Sequence, residues 1–86
     1  MTTMTTLTAP VRHEISRGVL VLGRRVTGHD VRRAVELACS PVLPRGRVLI
    51  AARVLCFRVD DVEVKNPAGV ECDLLEVDVE VTTGGK

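Results

Sequence analysis

Residues 27–41 read TGHDVRRAVELACSP, and this stretch decides the fold because it carries the signals of a complete helix. Thr27 can act as the N-cap, and Asp30 can complete a capping box at the positive end of the helix dipole. Apolar residues recur at the helical spacing i, i+3, i+4, i+7, namely Val31, Ala34, Val35 and Ala38. Pro41 stops the pattern. The sequence therefore predicts an amphipathic helix near residues 28–39.

The segments on either side of this helix have the β-branched character of strands. Before it, the turn-like Ser16-Arg17-Gly18 predicts a first hairpin that pairs residues 11–16 with 19–26. After it, residues 47–59 fit a helical and an alternating template equally well. We choose a strand because β-branched residues are dense and no N-cap precedes the run. Such a strand is apolar on both faces, so it is either central or covered by another subunit.

A second hairpin is predicted around Asn66-Pro67-Ala68-Gly69, which has the pattern of a type I turn followed by a G1 bulge. This turn sets Val64 opposite Cys72 and Val62 opposite Leu74. The apolar phase then slips by one residue, which indicates a β-bulge at Leu74-Leu75. The acidic strand that follows is charged enough to be an edge strand rather than a core layer.

The predicted fold is α+β, a small antiparallel sheet of two hairpins with one amphipathic helix packed on one face, in the order β-β-α-β-β. Residues 11–82 form the domain, 1–10 a disordered segment and 83–86 a flexible tail. A β-grasp order and a small β-barrel with one helix are the alternatives. The order of elements with Gly84-Gly85 resembles the outline of β-grasp ubiquitin-like carriers, whose terminal glycine carboxylate is activated. Lys86 follows here, so that role would require processing.

Charge is segregated along the chain. Residues 1–58 carry ten arginines against three acids, and residues 59–86 carry two lysines against eight acids. One interpretation is a set of cross-strand ion pairs that joins Arg53 and Arg58 to the acids of the last strand, namely Glu76, Asp78 and Glu80. The other is a bipolar subunit whose basic face contacts the acidic face of the next subunit in heterologous contacts.

A basic patch at the start of the helix is the second candidate interaction surface. It comprises Arg24, Arg25, Arg32 and Arg33, with His29 nearby. Arginine clusters of this kind can contact nucleic-acid phosphates. No second helix lies at helix-turn-helix spacing, so we favour a solvated basic face over nucleic-acid binding.

Side chains that could carry chemistry are sparse. Cys39, Cys56 and Cys72 form no paired motif, and we expect small, buried hydrophobic side chains in a reducing compartment. His13 and His29 have no metal-ligand spacing. Phe57 is the only aromatic residue, so stacking platforms for bases or sugars are lacking. We predict no catalytic, cofactor or metal residues, and leave enzymatic activity open while leaning against it.

The function predicted from sequence is a non-enzymatic, self-assembling structural or interaction protein, such as a small bacterial or phage assembly component. A nucleic-acid-associated regulatory module is one alternative, and a small-ligand protein or enzyme subunit with a pocket at an oligomer interface is another. The expected partner is another copy of the chain. The sequence has neither a signal-peptide pattern nor an apolar run of membrane-spanning length, so we expect a cytoplasmic location without membrane contact.

Overall fold

The computed structural model describes residues 11–43 and 46–85, which form a four-stranded antiparallel sheet with one α-helix on one face. In chain order the elements are β1 (Arg12–Arg25), α1 (Gly28–Cys39), a 3-10 turn (Ser40–Val42), β2 (Arg47–Val59), β3 (Val62–Val64) and β4 (Glu71–Gly85). In space the strands lie in the order β1-β4-β2-β3. The predicted α+β class is confirmed, whereas the predicted order of elements is wrong at two places described below.

The helix forms where the sequence predicts it. Thr27 Oγ1 accepts from the Asp30 N–H at 3.2 Å, and the Asp30 carboxylate accepts from the Thr27 N–H at 2.9 Å, so the capping box is complete. Ala34 and Ala38 are fully buried against the sheet. The α-helix ends at Cys39, and the proline follows inside the 3-10 turn.

The predicted first hairpin is wrong, because β1 runs without interruption from Arg12 to Arg25. Gly18 lies in the middle of this strand, directly under α1, and a Cβ atom there would overlap the carbonyl oxygen of Ala34. The glycine therefore serves the close approach of helix and strand rather than a turn. The observed order is β-α-β-β-β.

The choice of a strand for residues 47–59 is confirmed, but the predicted partner of the next strand is wrong. β3 pairs with β2, not with β4, through a two-residue turn in which Val59 lies opposite Val62. The turn residues Asp60 and Asp61 have φ angles of 48° and 68°. Positive φ at both central residues is what a type I′ hairpin turn requires, and aspartate is among the residues that tolerate it.

The predicted turn at residues 66–69 is present, although it leads into β4 rather than closing a hairpin. Gly69 has a φ of 87°, and the Val70 N–H donates to the Pro67 carbonyl oxygen at 3.1 Å. Two backbone hydrogen bonds, Val26 N–H to the Val70 oxygen and Gly69 N–H to the Val26 oxygen, fasten this turn beside the end of β1.

β4 is the central strand, between β1 and β2, so the expectation of an acidic edge strand is wrong. One side of it contributes more to the core than any other element, because its buried side chains include Leu75, Val77, Val79 and Val81. The other side carries the acids. The phase change is present, since Cys72 and Leu75 are both buried, and the matching register shift lies across from it in β1, between Val21 and Arg24.

The structure describes most of the predicted C-terminal tail but not the predicted N-terminal segment. Residues 83–85, predicted as part of a flexible tail, belong to β4, where Thr83 pairs with Arg12 and with Leu49. Gly84 lies against the side chain of Ile50. The predicted disordered segment 1–10 and Lys86 lie outside the described residues.

Candidate interaction surfaces

The sheet face opposite α1, called the open face below, carries a ladder of ion pairs across three strands. Arg58 of β2 donates to both carboxylate oxygens of Asp78 at 3.1 Å. Arg17 of β1 reaches the same carboxylate from the other side, with 2.9 Å between its Nε and Asp78 Oδ1. Glu76 accepts from Arg58 Nε at 3.5 Å. Asp78 therefore joins β1 and β2 through β4.

The remaining charges of the open face follow the same arrangement. Arg53 Nη2 lies 3.1 Å from Glu80 Oε1, and His13 Nδ1 lies 3.1 Å from the Thr82 hydroxyl oxygen. The cross-strand ion pairs predicted from sequence are thus present. Glu76, Asp78 and Glu80 are paired with arginines within one chain, so a basic-to-acidic contact between subunits, which stays a prediction, would have to compete with these pairs.

The ladder shifts the protonation equilibria of its central pair. Hydrogen bonds from Arg58 and then Arg17 outweigh burial and lower the pKa of Asp78 to about 2. The Asp78 carboxylate in turn raises the pKa of Arg58. The two side chains are 19% and 21% exposed, so solvent screens them less than a surface pair. The thiol of Cys56 lies against the same pair, 3.2 Å from Arg58 Nη1 and 3.6 Å from Asp78 Oδ2.

The basic patch at the start of α1 is smaller than the sequence suggests, because one of its arginines is engaged. Arg24 binds the buried Asp30 through two hydrogen bonds of 2.6 and 2.8 Å. The hydrogen bonds from Arg24 and those from Thr27 hold the pKa of the Asp30 carboxyl far below its usual range. Arg25 lies at 4.0 Å from Glu71, and both are exposed. Arg32 and Arg33 are exposed on α1. Nucleic-acid binding by this patch stays a prediction.

Uncovered apolar side chains form the other candidate surface, and the largest group of them lies on β2. Since α1 packs on β1 and β4, it leaves β2 largely bare. Five of its large apolar side chains are more than a third exposed, namely Val48, Leu49, Ile50, Val54 and Leu55. Between β2 and α1 lies a groove of about 450 Å³, lined by Val35, Glu36, Cys39, Ser40, Leu43, Leu49 and Ala52. An apolar surface of this kind is typical of a binding site.

A second uncovered surface lies on the open face of β1. Ile15 is 70% exposed and Val21 is 83% exposed, with Val19 between them at 43%. The predicted turn at Gly18 divided β1 and concealed this surface. It also concealed Arg17, the second arginine on Asp78. Read as one strand, residues 15–21 place Ile15, Arg17, Val19 and Val21 on one side, and this alternation is the signal that could have found them.

The candidate residues thus separate into two groups. Arg53, Arg58 and the three acids of β4 meet on the open face, whereas the four arginines of the basic patch lie around the start of α1. The cysteines are free, and burial raises the pKa of the Cys39 and Cys72 thiols. Within residues 11–43 and 46–85, no three His, Cys, Asp or Glu side chains converge as a metal site would require. No helix in this part of the chain has the length and apolarity to span a membrane.

Comparison with protein families gives one match, which covers most of the chain. Residues 10–83 match the family model described as the SHS2 domain inserted in FTSA. The match includes β1, α1, β2, β3 and all but the last two residues of β4. No curated protein matches the chain.

Proposed function

The chain belongs to the family of the SHS2 domain inserted in FtsA, and we propose on this basis that it is a non-enzymatic interaction domain that assembles with further copies of itself. FtsA is a bacterial cell-division protein, and SHS2 domains mediate contacts between proteins. The proposal therefore places the chain in a bacterial assembly related to division. The cytoplasmic location expected from the sequence is part of the same proposal.

The observation that carries this proposal is the amount of apolar surface that the single described helix leaves bare. β1 and β2 are the two strands that flank β4, and each presents large apolar side chains to solvent, Ile15 and Val21 on β1 and the five residues named above on β2. Contiguous exposed apolar surface is unusual in a monomeric protein and marks sites that a partner covers. A chain of this size also has a thin core, and assembly adds burial to it.

The chemistry of the polar groups supports a binding role over a catalytic one. Hydrogen bonds from Arg58 and Arg17 lower the pKa of Asp78 to about 2, far from the value that a general acid or base needs near neutral pH. Burial raises the pKa of the Cys39 and Cys72 thiols, which disfavours the nucleophilic thiolate.

Sedimentation equilibrium of the full chain over a concentration series tests the proposal. We expect a mass above that of the monomer, with association that survives high salt because apolar and backbone contacts are not screened. Repeating the series at 0.1 M and 1 M salt shortens the Debye length from about 10 Å to about 3 Å. Loss of association at high salt would favour the basic-to-acidic contact instead. A monomer at every concentration and both salt levels would contradict self-assembly.

A further inference from the structure

The outer edge of β1 has no strand beside it among the described residues, because β1 pairs on one side with β4. From Arg12 to Val21 this pairing runs in unbroken register, so the free edge is regular over ten positions. The edge of β2 that faces away from β4 is less suited to pairing. β3 already occupies it at Phe57–Val59, and the pairing of β2 with β4 has register shifts between Leu49 and Ala51 and between Val54 and Cys56. A regular free edge is a template for an added strand.

We propose that a second copy of the chain occupies this edge, with the two β1 strands antiparallel and Gly18 facing Gly18, so that two four-stranded sheets become one continuous sheet. This inference rests on the proposed self-assembly and names the surface that carries it.

The side-chain pattern around Gly18 is complementary to itself. In this register Ile15 lies opposite Val21 of the other copy, and Arg17 lies opposite Val19, each twice by symmetry. Directly opposed side chains in an antiparallel pair approach to about 5 Å, so the two most exposed apolar side chains of β1 would cover each other. A shift by one residue, with Arg17 at the centre, would place two guanidinium groups opposite each other.

The position of α1 fits the same arrangement. Val35 and Cys39 line the groove on the β2 side of the helix. Leu37, two residues from Val35, is rotated by about 200° around the axis and therefore lies on the flank toward the free edge of β1. Leu37 is 39% exposed. Because α1 lies over β1 and β4, pairing of the β1 strands at about 4.8 Å would set the two helix axes about 10 Å apart, the spacing of packed helices.

Over positions 15–21, which pair around Gly18, the charges do not oppose a second copy. Arg17 is directed inward, to Asp78 at 2.9 Å and Glu76 at 3.8 Å, so its charge is compensated before the copies meet. Between residues 15 and 21 the strand carries no other charged side chain. The contact is therefore apolar at its centre, and it leaves the groove beside β2 open for a different partner.

A matched pair of double variants tests the surface. Ile15→Lys/Val21→Lys adds two charges to the open face of β1, and Val48→Lys/Leu55→Lys adds the same two charges to β2 at exposed positions. We expect the first variant to raise the dissociation constant of the dimer at least tenfold in sedimentation velocity and the second to leave it within twofold. Circular dichroism checks that both variants fold. A dimer that persists in the β1 variant, or that is lost only in the β2 variant, would overturn the inference and leave self-assembly standing.

Cysteine cross-linking tests the register and does not depend on weakening the dimer. In the variant Ile15→Cys/Val21→Cys the two new thiols of one chain are about 20 Å apart along the strand, so a bond between positions 15 and 21 must join two copies. We expect this bond after mild oxidation, identified by mass spectrometry on a mixture of ¹⁴N- and ¹⁵N-labelled chains. The single variant Ile15→Cys should not cross-link. Equal cross-linking in both variants would overturn the register. A wild-type chain that stays monomeric would overturn both the pairing of two β1 strands and the proposed self-assembly, and the edge would then be open to a strand of another protein.

Discussion

At the scale of single residues, Gly18 shows why one residue type can be assigned to the wrong role. A glycine between two apolar segments favours a turn, and the same glycine also permits a helix to approach a strand. Which of the two applies depends on where α1 returns in space, and the residues around Gly18 carry no information about that. By contrast, the role of Thr27 was predictable, because its partner Asp30 lies three positions away in the sequence.

The role of Gly18 gives a prediction at this scale. We expect Gly18→Ala to lower the free energy of unfolding by about 1–3 kcal/mol, because the added methyl group overlaps the Ala34 carbonyl oxygen and α1 must shift. Gly28→Ala is the matched control, since a Cβ atom there meets nothing within 4 Å. Urea unfolding followed by circular dichroism measures both variants. Equal effects of the two substitutions would contradict the close-approach role.

At the scale of elements, α1 and β2 were predictable and the partners of the later strands were not. The helix is specified by its own caps and stripe, whereas the pairing of a strand is a choice among distant segments. The sequence contains two turn signals after β2. The stronger pattern, at residues 66–69, predicted the hairpin turn, and no turn was predicted at Asp60-Asp61. Both turns form, but only the two-residue turn closes a hairpin. It also contacts β4, since the Asp60 carboxylate accepts from the backbone N–H groups of Asp73 and Leu74.

These two turn residues should respond in opposite directions to the same substitution. Asp61→Gly removes the strain of a φ of 68°, and we expect a gain of about 0.5–1 kcal/mol in the free energy of unfolding. Asp60→Gly relieves similar strain but leaves the Asp73 and Leu74 N–H groups without their carboxylate partner, so a net loss of about 1–2 kcal/mol is expected. Urea unfolding of both variants measures the difference. A gain in both variants would exclude the anchoring role of Asp60.

At the scale of the whole molecule, charge that is segregated along the sequence becomes mixed across the sheet. The arginine-rich part supplies β1 and β2, the acidic part supplies β4, and β4 lies between the other two. The sequence predicted the pairs of Arg53 and Arg58, because β2 was expected beside the acidic strand. It could not supply Arg17, because that residue reaches Asp78 only when β1 is continuous and pairs with β4. The ion pairs between β2 and β4 were therefore predictable. The pair between β1 and β4 was not, because a turn was wrongly predicted at Ser16-Arg17-Gly18.

The ladder on this face makes stability depend on pH in a stated direction. The folded state lowers the pKa of Asp78 to about 2 from an ordinary value near 3.9, so the contribution of this carboxylate to stability is present above about pH 4 and is lost as the pH falls toward 2.

We expect Asp78→Asn to lower the free energy of unfolding by about 1–2 kcal/mol at neutral pH, after a discount for solvent screening. The gap between wild type and variant should close near pH 2, while the contribution of Asp30, whose pKa is also lowered, remains in both proteins. Asp73→Asn, at an exposed carboxyl, is the control and should change the free energy by less than about 0.5 kcal/mol. Urea unfolding across this pH range measures all three proteins, and a gap that does not change with pH would show that packing, not the Asp78 charge, joins β1 and β2 to β4.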